Sequence, residues 1–252
     1  MLRRRIALSC ASALFTQLVT LLPQASLAAE GHPEFSGVWQ AIASDAGAGR
    51  NVAGVPLSEA GKAMVAEALA PYPNLVEQGA YCVPPGMPSS MTAMVSYPIE
   101  ILQSDQRITM LVELESQYRR IWMDGRAHPL DSWLPTRMGH SVGSWEGDTL
   151  VIETKMLSED MFGRIPRTEN TTVTERISLM KRAELTVPTS AFINNATIDD
   201  NILAFQITVE DPVLYTAPYT TTIYYQHIND YDMLEYDCVQ QIWRDALEAA
   251  NP

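Results

Sequence analysis

From Tyr118 the chain alternates. Tyr118, Arg120, Trp122 and Asp124 fall on one face of an extended backbone and Arg119, Ile121 and Met123 on the other, the period of two that a pleated strand imposes. Asp124-Gly125 ends the pattern with a residue pair that tolerates positive φ, and Glu146-Gly147-Asp148 does the same before the run 149–154, so two tight corners are expected to bracket His128 and His140. Similar alternation predicts strands over 35–40, 99–103, 107–115, 171–179, 183–187, 202–210, 220–228 and 233–242. In 202–210, Leu203, Phe205, Ile207 and Val209 share one face. Helical spacing appears over 57–69, with Ser58 as N-cap and Pro71 and Pro73 behind it, and over a short segment at 244–249. Ten or so short antiparallel strands and little helix predict an all-β, up-and-down barrel with a short N-terminal and a short C-terminal helix. Across the 107–115 hairpin, Glu113 is expected near Arg119 or Arg120.

The first 28 residues are set apart from this pattern. Arg3, Arg4 and Arg5 precede an apolar run over 6–22, and Ser26-Leu27-Ala28 supplies the small residues of a cleavage site, so residues 1–28 read as a signal peptide and 29–252 as one barrel domain that is periplasmic or secreted. No later apolar run approaches the roughly 18 residues of a membrane span. The net charge of −13 grows more negative once the leader's arginines are removed; nucleic acid and anionic lipid are therefore poor partners. Outside the leader stand two cysteines, Cys82 and Cys238. In an oxidising compartment they form a disulfide, or both are small buried hydrophobes.

Candidate chemistry gathers between Gln117 and Lys155, which holds three of the five Trp and two of the four His. His128 and His140 titrate in the range useful for proton transfer, Arg120 and Arg126 could hold an oxyanion, and Asp124, Glu146 or Asp148 could orient an imidazole. The structural alternative makes Asp124 and Asp148 turn residues, pairs Arg126 with Glu146 and has both histidines cap loop carbonyls. His128, His140 and His227 have no metal-site spacing, so no metal is expected. Gly139-His140-Ser141-Val142-Gly143 puts Ser one position late for a nucleophile elbow and is followed by a strand, so serine hydrolysis is not expected. No cofactor motif occurs.

Gly37-Val38-Trp39 is similar to the Gly-x-Trp signature of the first lipocalin strand; that resemblance implies that Gly37, Trp39 and Arg244 close the base of a barrel. The chain also resembles a large, mostly uncharacterised family of secreted bacterial proteins. The resemblance lies in Asp-Gly-Arg-x-His-Pro at 124–129, Gly-His-Ser-x-Gly-x-Trp-Glu-Gly-Asp-Thr-Leu-Val at 139–151, Glu-Asp-Pro-x-x-Tyr-Thr-x-Pro at 210–218 and a Cys-bearing segment at 236–239. It implies a calycin-type barrel and assigns no reaction. Two functions follow from the residues. The barrel binds a small hydrophobic or aromatic molecule lined by Trp122, Trp145, Tyr215, Tyr225 and Met87. Alternatively, a pocket of this kind works as a cofactor-independent lyase, isomerase or hydratase through His/Arg acid–base chemistry.

Overall fold

The computed structural model describes residues 31–45, 54–70, 84–92, 97–160, 165–189 and 200–237. The leader, Cys82, Cys238, Arg244 and the expected C-terminal helix lie outside them. Among these described residues nine strands close into one barrel: β1 Gly37–Ser44, β2 Ile99–Gln103, β3 Arg107–Val112, β4 Gln117–Trp122, β5 His140–Glu146, β6 Thr149–Lys155, β7 Thr172–Lys181, β8 Asn201–Glu210 and β9 Tyr219–Ile228. The all-β barrel is as expected; strict up-and-down alternation is not. If every neighbour in a closed ring is antiparallel, the strand number must be even. Nine strands force a parallel seam, and it falls at β4–β5, where Ile121 pairs with Ser141 and Trp122 with Val142. Every other pair, including the closing β1–β9, is antiparallel. A parallel pair cannot be joined by a tight hairpin. Residues 123–139 therefore form a crossover that carries the chain back along the outside of the barrel.

The strand alternation sorts side chains as the sequence predicts. Ile121, Leu150, Ile152, Val173, Ile177, Phe205 and Ile207 face inward with no exposed area, so at these positions side chains rather than solvent-sized space fill the barrel. At one end the strap 33–36 crosses the opening, held by Gln103, whose side chain accepts from Phe35 N (3.1 Å) and donates to Pro33 O (2.9 Å). Trp145 packs there against Phe35 and stacks on His32 at 4.5 Å. The opposite end is plugged by residues 84–92 with a short helix, α2 (Ser89–Thr92), in a segment for which the sequence pattern predicts no element. Met87, just before it, and Met91, within it, are fully buried. Arg167, also fully buried, donates to Pro85 O (2.9 Å), Ser158 O (2.9 Å) and Asp160 (3.0 Å). Asp211 accepts from Thr168, Thr171 and the Val213 and Leu214 amides, and Tyr215 donates to Pro166 O (2.6 Å). The Glu-Asp-Pro-x-x-Tyr motif is thus a brace for this end.

Other expectations are corrected. Helix α1 (Glu59–Leu69) begins as predicted, with the Ser58 hydroxyl accepting from Gly61 N. The segment 183–187 is not a strand: after β7 the chain makes one 3-10 turn, Arg182–Glu184. The described part of 233–242 makes only an isolated bridge, Tyr236 to Leu114. There the chain folds back over the β3–β4 turn, where Glu115 and Ser116 have positive φ. That return also redirects Glu113, whose carboxylate accepts from Tyr231 (2.8 Å) and Leu234 N (3.0 Å) instead of meeting Arg119 or Arg120. Trp39 is buried, with the His227 ring edge-on at 5.2 Å.

Candidate functional site

The crossover lays His128 over the outer face of β5 and β6. His140, Val142, Val151, Glu153 and Lys155 project outward here, because Ser141, Leu150, Ile152 and Thr154 project inward. Both ends of the crossover are pinned: Met123 N donates to Gln106 O (3.0 Å), while Thr136 N donates to Met156 O (3.0 Å) and its carbonyl accepts from Ser158 N (2.9 Å). Gly139 turns the chain into β5 at φ +66°, where a Cβ would stand 2.6 Å from Lys155 O.

The two histidines meet. His128 Nδ1 lies 2.9 Å from His140 Nδ1, and His128 Nε2 lies 3.2 Å from Glu153 Oε1. Ring centroids 5.0 Å apart make the nitrogens face almost head-on, which suits one shared hydrogen; two lone pairs chelating an ion would have to converge on a point to the side. Burial tends to raise the Glu153 pKa, but the hydrogen bond and charge of Lys155 (2.9 Å away), together with His128, hold it below the usual value. Glu153 is therefore a carboxylate, and the tautomers follow. His128 donates from Nε2 to Glu153 and accepts at Nδ1; His140 donates from Nδ1 and keeps its lone pair on Nε2. Burial, aided by Lys155 and opposed by Glu153, lowers the His128 pKa. Burial, His128 and Arg126 lower that of His140. At neutral pH His140 Nε2 is thus an unprotonated base backed by a relay to a carboxylate. Trp133, more than half exposed, stands edge-on to His140 at 6.1 Å, with Leu130 and Leu134 also exposed on the same segment.

The other expected residues are dispersed. Arg126 binds both oxygens of Asp124 (2.8 and 3.0 Å from Nε) and lies 3.7 Å over the Trp122 ring, so neither of the alternatives considered for Asp124 holds in full: it is a turn residue that also takes the arginine. Glu146 pairs with Arg176 at 2.8 Å, not with Arg126. Arg120 is exposed on the outer face of β4, 5.3 Å from the Tyr118 ring. Trp122 is outside the barrel, Trp145 at the strap end, Met87 and Tyr215 at the plug end and Tyr225 in the interior; these five do not line one place. Among the described residues no three His, Cys, Asp or Glu side chains converge as a metal site would require.

Sequence reasoning missed Glu153, Trp133 and a polar cluster inside the barrel. Arg119 forms a buried bidentate pair with Glu175 (2.7 and 2.5 Å) and donates to Ser141, Thr154 (both 3.2 Å) and Met87 Sδ. Ser141 and Thr154 directly follow His140 and Glu153 on the opposite face, so the cluster fixes from within the two strands that carry the outer site. No family model and no curated protein matches the chain.

Proposed function

We propose that the protein is a cofactor-independent acid–base catalyst of the lyase, isomerase or hydratase type, working outside the cytoplasm on a small apolar or aromatic molecule. The Glu153–His128–His140 chain supports this reading. When His140 Nε2 accepts a proton, its Nδ1 proton can move to His128, and the positive charge comes to rest beside Glu153. Trp133 offers an apolar wall next to the base. The N-terminal leader pattern supports the location.

A second reading, a binder of such a molecule, is favoured by the exposed Leu130, Trp133 and Leu134 on the crossover, of which Trp133 stands beside His140, apolar surface apt for contact with an apolar ligand. The test separates the two. Aromatic and apolar compounds are screened by thermal shift, with compound mass followed in parallel. Conversion by wild type that falls by roughly 10²–10⁴ in His140→Ala while binding persists supports the catalyst; Glu153→Gln, which removes the anchoring charge, should also slow it. A stabilising compound recovered unchanged supports the binder. Conversion that His140→Ala leaves intact overturns the catalytic reading.

A further inference from the structure

Arginine use in this chain is uneven. Acids outnumber Lys and Arg 30 to 17, and Arg119, Arg126, Arg167 and Arg176 each hold a carboxylate. Among the described residues Arg120 and Arg107 make no such ion pair; each lies against an aromatic ring, Arg120 against Tyr118 at 5.3 Å and Arg107 against Trp122 at 5.9 Å. A guanidinium lying on a ring face keeps its in-plane N–H donors for an anion and matches a carboxylate with a two-pronged fork.

Position distinguishes the two. Ile121 pairs with Ser141 across the parallel seam; Arg120 and His140 each stand one residue earlier on the outer side of the wall, Arg120 exposed and His140 only 7 % exposed beneath the crossover. Neighbouring strands are separated by roughly 4.8 Å, so an acid group received by Arg120 leaves the body of a small ligand within reach of His140 and the Trp133 ring. Arg107 is one strand further away, paired with Trp122. Arg126, the other candidate for an oxyanion, is already occupied by Asp124, and Lys155 by Glu153.

We infer that the ligand is an anion: a small aromatic or apolar carboxylic acid whose carboxylate is held by Arg120 while His140 faces its carbon skeleton. This rests on the proposed acid–base role of His140, and the experiment keeps the two apart. Diethyl pyrocarbonate acylates unprotonated imidazole, and mass mapping of peptides resolves His140 from the other histidines. The full-length protein is treated near neutral pH, alone or with phenylacetate, benzoate or the neutral phenylacetamide. Modification of His140 through its Nε2 lone pair is expected without ligand, at a rate limited by its 7 % exposure; a His140 that stays unmodified overturns the base assignment and this inference with it.

Given a reactive His140, an acid at about ten times its apparent Kd should slow modification roughly tenfold. The amide should protect far less, Arg120→Gln should abolish the acid's advantage, Arg120→Lys should restore part of it, and Arg107→Gln should leave it in place. Matching melting temperatures show that the exposed variants are folded. Equal protection by acid and amide, no protection by any acid, or protection that survives Arg120→Gln overturns the inference while leaving the base role standing.

Discussion

At the scale of single residues, the head-on histidine contact makes the protein sensitive to acid. Both pKa values lie below the ordinary value of about 6.5, with burial the leading cause in each. The unfolded chain therefore binds more protons than the folded one as pH falls through this range, so stability rises with pH there. The contribution is present above the unfolded value and is lost as pH falls through the folded values. Two protonated rings would each carry hydrogen on Nδ1 and could no longer share one at 2.9 Å. The other charges facing the pair, Lys155 and Arg126, add to the repulsion and Glu153 opposes it. Melting curves between pH 7.5 and 5 should show a larger loss for wild type than for the His128→Gln/His140→Gln double variant; parallel losses would remove the histidine contact as the cause.

At the scale of elements, the Arg119–Glu175 pair ties β4 to β7 and, through Ser141 and Thr154, to β5 and β6. Removing one partner strands a charge in a closed interior, which typically costs about 3–5 kcal/mol, whereas replacing both with apolar residues costs much less. Urea unfolding of Glu175→Gln, Arg119→Met and the Arg119→Met/Glu175→Leu double should show that order; a double variant as unstable as the sum of the singles would refute it. Strand faces in this region were legible in the sequence, since alternation alone put Arg119 and Ile121 opposite Arg120 and Trp122. Glu153 was legible too. The turn at Gly147-Asp148 sets Glu146 against Thr149, and counting back along that hairpin places Val142 against Glu153 and His140 against Lys155. The expectation looked for an orienting acid near the corners and did not follow the register. What no local pattern carried was the partner of Arg119, because Glu175 is far along the chain and its identity depends on how the ring closes.

At the scale of the whole molecule, the barrel and its packed alternation followed from strand periodicity, while its topology did not. Asp124-Gly125 has the chemistry of a hairpin turn, yet Gly125, at φ +74°, opens a crossover, because an odd number of strands leaves one neighbour that cannot be reached by turning back. That global constraint has no signature in any one segment. It is also why His128, twelve residues before His140, ends up beside it: the crossover has to travel the outside of the wall to start β5 from the correct end.

The parallel seam is the shortest join in the wall, two residue pairs against ten between β7 and β8, and His140, the outer end of the proton relay, stands beside it. A ring opens where it is least stitched, so thermal motion should part β4 from β5 before the rest yields. Native-state hydrogen exchange should then find the amides at this join opening at lower free energy than those between β7 and β8, and uniform protection around the ring would contradict it. Arg120 belongs to one lip of the seam and His140 to the other. The same slit that makes the barrel vulnerable would set the distance between charge receptor and base, so its breathing would tune the site much as the gap of a clamp sets its grip.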